Sequence, residues 1–348
     1  MFDNIWDRLA PLSRETKKIF ESFFLGKISG KTVIIKFWGV RGSLPTPLTP
    51  REIEKKIREV LLAATADDVK DDQSVDRFIE KLPFDKRSTY GGNTPCVQII
   101  PSDNKRFIVD AGSGIRELGI HFLDTPMGQG KGEVHLFLSH THWDHIQGFP
   151  FFAPAFIPGN QLSVYNDKDQ YRTFSDQQNA RYFPVPLEYM RSKMVFRRIQ
   201  PGQIFHVGET EICTLEMYHP GTSLAYRFTD KDCTFVYASD SEFNMRPRSE
   251  VREFEEFVSG ADGMVFDSQF TFSESHEKVT WGHSSATIGV DVAVAAGVKR
   301  LLLFHHAPSY SDEKLTQLWK LAIKYKNLVA PRSDLEIITT YDGLEIDI

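Results

Sequence analysis

An α/β fold, in which helices cover the faces of β-sheets, is the class that this 348-residue sequence predicts. Short runs rich in Val, Ile, Phe and Tyr alternate along the chain with longer runs that have helical character. Polar or glycine-containing breaks separate these runs, as expected for turns between buried elements. Hydrophobic residues make up 41% of the chain and charged residues 25%, which is enough apolar material for a large core.

The β-rich runs predict eleven strands, and the helical runs predict five helices. In chain order, the predicted strands are Thr32–Phe37, Cys96–Ile100, Arg106–Val109, Glu133–Leu138, Gln161–Val164, Ile212–Met217, Ser223–Phe228, Thr234–Ala238, Gly263–Phe266, Arg300–Phe304 and Leu335–Thr340. The predicted helices are Arg51–Ala64, Gly114–His121, Ser249–Ser259, Ser285–Ala296 and Ser311–Lys326. Ser249, Ser285 and Ser311 are placed as the residues that cap the last three helices.

Two segments are predicted to be additions to the chain, and the α/β unit itself is expected to span residues 31–348. Residues 1–30 predict an amphipathic helical arm that ends in a linker. Residues 49–88 are charge-rich and predict a helical insertion between a glycine-rich loop and the turn at 90–93. A solvated cap or a dimer surface is the favoured interpretation of this insertion over a direct substrate contact, so a homodimer is one expectation.

Composition also narrows the functional classes. The formal net charge of −6 argues against a broad, non-specific nucleic-acid surface, which is usually basic. A small anionic substrate still fits, because bound metal ions supply positive charge themselves. No apolar run approaches the roughly 18 residues of a membrane-spanning helix, and the first residues lack a secretory pattern. No membrane partner and a cytoplasmic location are therefore expected.

The chemistry is concentrated in the stretch that follows the predicted strand Glu133–Leu138. His140, His142, Asp144 and His145 stand within six positions after this apolar run. Neutral imidazoles and carboxylates are ligands that divalent ions such as zinc accept. Loops at strand ends commonly carry such functional groups. Four potential ligands in so short a stretch predict a metal site.

More ligands are needed elsewhere, because four side chains cannot saturate two ions. His219, Asp240 and His305 each follow an apolar, strand-like run, which is the arrangement already seen before His140. Taken alone, each of these residues is more often a surface or core residue. The recurrence of the arrangement at three further strand ends favours one joint, two-ion site.

The order His-x-His-x-Asp-His, followed by His219, Asp240 and His305, resembles the metallo-β-lactamase superfamily, and more narrowly its ribonuclease Z-like and phosphodiesterase branch. Asp240 stands where that branch has a bridging aspartate and where classical β-lactamases usually have a cysteine. The resemblance runs from about Val33 to the C-terminus and implies a four-layer αβ/βα sandwich. Other stretches that resemble the branch are residues 37–45, 90–94, 109–114, 282–285 and 295–305.

The resemblance implies seven metal ligands. His140, His142 and His219 would bind the first ion, Asp144, His145 and His305 the second, and Asp240 would bridge both. His306 competes with His305 for the ligand role, and His305 is preferred because it directly follows the strand, where the branch places its ligand. The implied cofactors are two divalent ions, with zinc favoured by the histidines and manganese compatible with the carboxylates.

The implied reaction is hydrolysis of a phosphodiester through in-line attack by a hydroxide that bridges the two ions. Asp144 is expected to orient this nucleophile as well as to bind metal. His283 is the expected proton donor to the leaving group, and Asp267 is expected to orient His283. A role at the entry of the helix beside Ser285 is the alternative for His283.

Several residues of the glycine-rich turns and of the last strand end are expected near the substrate. The expected substrate contacts are Arg41, Asn93, Thr94 and His306. Asn93 and Thr94 fit equally well a structural role in which they satisfy backbone groups of their turn. Asp110 is expected either to support a ligating histidine from behind or to cap the turn that follows it.

Three functions remain open. The favoured one is a dinuclear phosphodiesterase for a small phosphodiester, with cyclic nucleotides as the best guess and the aromatic segment 181–186 as a stacking surface. The second is a ribonuclease Z-like endonuclease acting on tRNA precursors. The acidity of the chain weakens this second function. Residues 161–198 also match poorly the long glycine- and proline-rich arm with which ribonuclease Z usually grips tRNA. The basic cluster at 191–198 supports it. The third, a non-catalytic metal-binding sensor, is disfavoured by the complete ligand set.

Overall fold

Residues 33–348 are the part of the chain that the computed structural model describes, so the predicted arm at 1–30 lies outside it. Its strands are β1 Ile34–Gly39, β2 Cys96–Ile100, β3 Phe107–Val109, β4 Glu133–Phe137, β5 Gln161–Asn166, β6 Lys193–Arg198, β7 Ile204–Val207, β8 Thr210–Met217, β9 Ser223–Asp230, β10 Cys233–Ala238, β11 Gly263–Asp267, β12 Arg300–Phe304, β13 Glu336–Thr339 and β14 Glu345–Asp347. Its helices are α1 Pro50–Ala63, α2 Asp72–Lys81, α3 Phe84–Arg87, α4 Ile115–Leu123, α5 Trp143–Ile146, α6 Gln170–Gln177, α7 Arg248–Phe257, α8 Phe272–Glu277, α9 Ala286–Ala295 and α10 Asp312–Val329. Short 3-10 turns lie at Pro126–Gln129, Phe149–Phe151, Ala153–Phe156 and Leu187–Tyr189.

The strands form two seven-stranded sheets that share one pairing pattern. The order is β14-β1-β2-β3-β4-β5-β6 in the first sheet and β7-β8-β9-β10-β11-β12-β13 in the second. In each sheet, read in this order, the first three neighbouring pairs are antiparallel and the last three are parallel. Parallel neighbours end at the same edge of a sheet, which is where α/β proteins commonly build their sites.

Three apolar cores separate the layers of the fold. The central core lies between the two sheets, where the Phe107 ring of the first sheet stacks on the Phe228 ring of the second at 5.9 Å. A second core packs the outer face of the first sheet against α4, which contributes Leu118. A third core packs the outer face of the second sheet against α7, α9 and α10, with Phe254 of α7 buried in it. The resulting order of helix, sheet, sheet and helix confirms the predicted four-layer αβ/βα sandwich.

The eleven predicted strands are present, and the three that the sequence did not reveal are all edge strands. β6 and β14 form the two edges of the first sheet, and β7 forms one edge of the second. Edge strands in natural proteins are often short and charged, which protects them against pairing with other chains. β6 follows this rule, since Lys193, Arg197 and Arg198 are exposed and interrupt the apolar pattern. Most of the basic cluster at 191–198 is therefore part of a strand.

The five predicted helices are also present, but two of the three predicted caps differ from expectation. Ser285 stands at the N-cap position of α9, but its hydroxyl bonds to Thr287 and makes no cap bond to the helix backbone. Ser311 caps α10 as predicted, because its hydroxyl accepts a hydrogen bond from the backbone of Lys314. The prediction that Ser249 caps α7 is wrong. The helix begins at Arg248, directly after Pro247, whose fixed φ and missing N–H suit a helix entry. None of the helices within residues 33–348 has the length and apolar composition needed to cross a lipid bilayer.

The charge-rich segment at 49–88 forms the helices α1, α2 and α3. Thr49 and Glu52 form a capping box at the start of α1. Lys56 of α1 donates from Nζ to Asp312 at 2.6 Å and to the backbone carbonyls of residues 85 and 88, which ties α1 to the start of α10. The segment is thereby attached to the second helical layer. Its status as an insertion, and the dimer contact expected of it, stay predictions.

Asp342 provides a test of how pH affects the stability of the fold. It is a buried carboxylate whose Oδ2 accepts hydrogen bonds from the backbone of Gly92 and from the backbone and side chain of Asn93. Burial raises the pKa of Asp342 to about 6, above its ordinary value of 3.8. A carboxyl group whose pKa is raised by folding contributes stability below its unfolded pKa, and that contribution is lost as the pH rises through its folded pKa.

We therefore expect the unfolding free energy of the wild type to fall, relative to that of Asp342→Asn, as the pH rises from about 4 to above 6. The shift of the pKa from 3.8 to about 6 corresponds to a change of about 3 kcal/mol in this difference. Urea unfolding of both proteins at closely spaced pH values measures it. Parallel curves for the two proteins would contradict the assignment.

Candidate metal centre

Five strands of the two sheets end close together, and a site residue stands at or just beyond each end. β3 is followed by Asp110, β4 by His140, β10 by Asp240 and β12 by His305, while β11 ends at Asp267 itself. Three of these residues have left-handed backbone conformations, with φ of 63° at Asp110, 56° at Asp240 and 60° at His305. Such values are uncommon for residues other than glycine, and they concentrate at functional sites. The sharp turns at these three positions help to bring the side chains into one cluster.

The first group of predicted ligands, His140, His142 and His219, meets within 4.8 Å. His142 Nδ1 lies 2.9 Å from His219 Nε2. His219 Nδ1 donates to the carbonyl of Gly282 at 2.9 Å, which leaves His219 Nε2 to face the site. Position 282 requires glycine, because its φ is +83° and a Cβ there would stand 2.2 Å from His219 Nδ1.

The second group, Asp144, His145 and His305, also meets within 4.8 Å. His305 Nε2 lies 3.1 Å from Asp144 Oδ2 and 3.3 Å from His145 Nε2. Asp240 stands between the two groups, with its carboxylate oxygens 3.1 Å from His145 Nε2, 3.4 Å from His305 Nε2, 3.9 Å from His140 Nε2 and 4.0 Å from His219 Nε2. The predicted bridging residue therefore touches both groups.

The site holds more buried negative charge than its own cations neutralise. Asp110, Asp144, Asp240 and Asp267 are all buried, and within residues 33–348 their ion-pair partners are histidines and never lysine or arginine. Burial by itself raises the pKa of Asp144 and Asp240, but the nearby histidines, His145 foremost, outweigh it and hold both pKa values below normal. Ionised carboxylates in so dry a cluster need a strong cation, and divalent ions meet that need.

The histidines of the first group are in the state that binds metal. Burial lowers the pKa of His140, His142 and His219 below the ordinary 6.5, so their imidazoles are neutral near pH 7. His140 Nε2 is buried and has no hydrogen-bond partner in the described part of the chain, which is unusual for a buried nitrogen and fits a metal ligand. For His145, burial lowers the pKa, but three neighbouring carboxylates raise it well above normal. A bound cation would replace that proton.

His283 and Asp267 form a separate pair beside the cluster. His283 Nδ1 donates to Asp267 Oδ2 at 2.7 Å, and Asp267 Oδ1 accepts from the backbone of Ser284 and Gln269. Burial by itself lowers the pKa of His283, but the Asp267 carboxylate outweighs it and holds the pKa above normal. Because Nδ1 is engaged with Asp267, Nε2 is the nitrogen of His283 left for a reacting group.

Asp110 supports the second group from behind, which is one of the two roles the sequence left open. Its Oδ2 accepts from His145 Nδ1 at 2.7 Å and from the hydroxyl of Tyr237 at 2.7 Å. The backbone and hydroxyl of Ser139 donate to the same carboxylate. This arrangement fixes the His145 tautomer, so that Nε2 presents its lone pair to the site.

Asp110→Asn is therefore expected to weaken metal binding by about 10- to 100-fold, because an amide is a poorer acceptor for His145 Nδ1–H. Competition with a chromogenic chelator measures the affinity. Asp342→Asn is the matched control, since it also neutralises a buried carboxylate but touches no residue of the cluster. Equal affinities in the two variants would contradict this role for Asp110.

The residues expected to contact substrate all have hydrogen-bond partners within the chain, and their contact with substrate stays a prediction. Arg41 is 3% exposed, and its guanidinium donates to the backbone carbonyls of residues 91, 307 and 310. Thr94 is fully buried, and its hydroxyl oxygen accepts from Gln147 and the backbone of residue 113. Asn93 bonds to Asp342 and Ser113.

His306 points away from the metal cluster, and its neighbour His305 points into it. His306 Nε2 donates to the carbonyl of Thr340 at 2.9 Å. Burial and the nearby Arg41 lower the pKa of His306 to about 3, so it stays neutral. The preference for His305 over His306 as the ligand agrees with this geometry, and a substrate contact of His306 stays a prediction.

Two residues that contribute to the site were not predicted from the sequence. The backbone N–H of Ser43 donates to Asp144 Oδ2 at 2.7 Å. The carboxylate of Glu242, 2% exposed, accepts from the backbone of Thr280 and Gly282 and so holds the loop that positions His219 and His283. Both contacts join residues far apart in sequence through backbone groups, which leave no pattern in the side chains.

Comparison with known protein families identifies the family of the chain. The family model described as the beta-lactamase superfamily domain matches residues 105–306, more than half of the chain. The chain belongs to the beta-lactamase superfamily. This assignment confirms the metallo-β-lactamase fold, which implies binding of divalent metal, and the two groups of histidine and aspartate side chains are compatible with it.

Similar members of this superfamily include a ribonuclease Z from Nostoc sp., 22% identical over 248 residues that cover 58% of this chain and 74% of the relative. Among solved structures, the metallo-beta-lactamase fold protein YhfI from Bacillus subtilis is 19% identical, with a TM-score of 0.59 over 92% of this chain and all of that one. Yeast PDE1 is 13% identical, with a TM-score of 0.58 over 92% of this chain and all of that one. By family and by site, this superfamily member is a metal-dependent hydrolase.

Proposed function

We propose that the protein is a dinuclear phosphodiesterase that hydrolyses a small phosphodiester, with cyclic nucleotides as the best candidates. The observation that carries the proposal is the position of Asp240, one buried carboxylate within 4.0 Å of four histidine nitrogens from both ligand groups. A shared carboxylate of this kind suits two ions that clamp one phosphoryl group. A site for a single ion would not need it.

In this proposal, the ions when bound neutralise the charge on the phosphoryl oxygens and increase the acidity of water. Asp144, which the Ser43 N–H holds through Oδ2, orients the attacking water. His283 donates a proton from Nε2 to the leaving oxygen, and Asp267 keeps Nδ1 engaged so that the ring presents this nitrogen.

Zinc is the metal we propose, because five of the seven ligands are histidines and neutral imidazole suits zinc. Manganese is the alternative that the two carboxylates allow. Metal analysis of the purified protein, followed by reloading with each ion in turn, distinguishes the two.

A ribonuclease Z-like endonuclease is the second candidate, and the name of the curated relative from Nostoc sp. favours it. One feature of the structure adds support, namely the exposed basic side chains of the edge strand β6. Nucleic-acid backbones are attracted by such surfaces. The net charge of −6 for the whole chain weighs against this candidate.

A substrate panel on metal-loaded protein tests the two candidates together. It contains cyclic AMP, cyclic GMP, a tRNA precursor, bis-p-nitrophenyl phosphate and the β-lactam nitrocefin. We expect hydrolysis of the cyclic nucleotides and of the bis-nitrophenyl ester, and none of nitrocefin. Cleavage of the tRNA precursor alone would replace the first candidate with the second. Metal binding without any hydrolysis would instead indicate a non-catalytic sensor.

A further inference from the structure

The tryptophans within residues 33–348 fall into two classes. Trp38 and Trp319 pack against the sheets, and their indole N–H groups donate to Gln98 at 3.1 Å and to the carbonyl of Ile337 at 2.8 Å. The side chains of Trp143 and Trp281 are 56% and 61% exposed, and their indole N–H groups form no hydrogen bond in this part of the chain. Exposing a large indole is unfavourable in water, and such rings commonly mark places of recognition.

Both exposed tryptophans stand next to site histidines. Trp143 directly follows His142, which is exposed although the six other candidate ligands are buried. The metal cluster therefore opens to solvent at His142. Trp281 directly precedes Gly282, whose carbonyl accepts from His219, and His219 in turn lies 2.9 Å from His142. Trp143 and Trp281 are therefore each one residue away from a group that takes part in the contacts between His142, His219 and Gly282.

A positive charge lies beside Trp281. Lys278 Nζ stands 4.2 Å from the centre of the Phe270 ring and 5.6 Å from that of Trp281. The Phe270 ring packs edge-on against His283, with centroids 5.6 Å apart. Lys278 forms no ion pair within residues 33–348, although the Glu274 carboxylate lies near enough to interact with its charge, and the remaining positive charge can attract an anionic ligand. Glu242 anchors the segment that carries these groups through the backbone of residues 280 and 282.

We infer that Trp143, Trp281 and Lys278 form a subsite for the nucleoside part of a phosphodiester. A planar base stacks on the exposed indoles, while Lys278 adds positive charge near the ester phosphate. The inference rests on the proposed phosphodiesterase function and adds which residues bind the aromatic base of the substrate. It also moves base recognition away from the segment 181–186, which the sequence suggested.

Two other exposed aromatic residues serve as matched controls. Tyr182, 72% exposed, lies in that earlier candidate segment and is not adjacent in sequence to a site residue. Phe272, 56% exposed, lies on α8 in the same segment as Trp281 but contacts His276, which is outside the cluster. Neither residue is adjacent in sequence to a candidate metal ligand.

The test compares two esters with the same leaving group, thymidine 5′-(p-nitrophenyl phosphate) and methyl p-nitrophenyl phosphate, on full-length, metal-loaded protein. Trp143→Ala and Trp281→Ala should each lower the ratio of the two kcat/KM values, nucleoside over methyl, by about tenfold, because one stacking partner of the base is lost. Phe272→Ala and Tyr182→Ala should keep the wild-type ratio. General damage to the site lowers both rates and leaves the ratio as it was.

Calorimetry of thymidine 5′-monophosphate binding to the same proteins tests the inference without requiring catalytic turnover. A weaker affinity in both tryptophan variants, with wild-type affinity in Phe272→Ala and Tyr182→Ala, supports the subsite. Wild-type ratio and affinity in both tryptophan variants would overturn it, and so would a loss found only in Tyr182→Ala. Tryptophan-dependent nucleotide binding in a protein that hydrolyses neither ester would reject the proposed function while supporting the subsite.

Discussion

Asp240→Asn is expected to lower kcat/KM for phosphodiester hydrolysis by about a thousandfold and to reduce the bound metal from two ions per chain to one or fewer. Asparagine keeps the size of the side chain but removes the negative charge that two ions would share. No other carboxylate within residues 33–348 touches both ligand groups, so nothing nearby can replace it. Elemental analysis after dialysis and steady-state kinetics measure the two effects.

Asp342→Asn controls for the loss of one buried carboxylate, because its hydrogen bonds go to Gly92 and Asn93 and not to the metal cluster. This variant should keep two ions and wild-type turnover. Circular dichroism on both proteins separates lost chemistry from lost folding. Two tightly bound ions and near-normal rates in Asp240→Asn would show that Asp240 does not bridge.

His283→Ala should lower kcat by about a hundredfold or more on a substrate with an alkoxide leaving group, such as a cyclic nucleotide. On bis-p-nitrophenyl phosphate the same variant should lose less than about tenfold, because p-nitrophenolate leaves without a proton. The dependence on the leaving group distinguishes a proton donor from a residue that only shapes the site.

Asp267→Asn should show the same dependence on leaving group with a smaller loss, since it keeps His283 in place but weakens the hydrogen bond at Nδ1. Ser285→Ala tests the competing role of this turn as a helix entry. The Ser285 hydroxyl bonds to Thr287 and makes no cap bond to the backbone of α9, so we expect little change. Equal losses on both substrates in His283→Ala would remove the proton-donor role.

Interior strands and the clustering of the candidate metal ligands were predictable because both depend on local sequence. A strand buried on both faces must be an apolar run, and a residue shortly after it must lie near the end of that strand. His140 and His305 are such residues, one in each sheet. Edge strands such as β14 escape this logic, because a short strand with one free edge needs no continuous apolar run.

The roles of Arg41 and Glu242 were not predictable in the same way. A buried arginine in a glycine-rich turn resembles a phosphate-binding residue until its partners are known. Those partners are backbone carbonyls of residues 91, 307 and 310, from loops that meet only in the folded chain. The Glu242 carboxylate likewise accepts hydrogen bonds from backbone amides about 40 positions further along the chain. Backbone partners carry no signature in the sequence.

By itself, the sequence determined the fold class, the positions of the interior strands along the chain and the set of side chains able to bind metal. Each depends on apolar periodicity and on what directly follows a strand. Only the tertiary structure decided that His305 faces the cluster while His306 turns away, and that His142 is exposed although the six other candidate ligands are buried. The reason is physical. The direction of a side chain and its solvent exposure depend on how two sheets, distant in sequence, pack against each other. A single left-handed residue at a strand end also redirects a side chain.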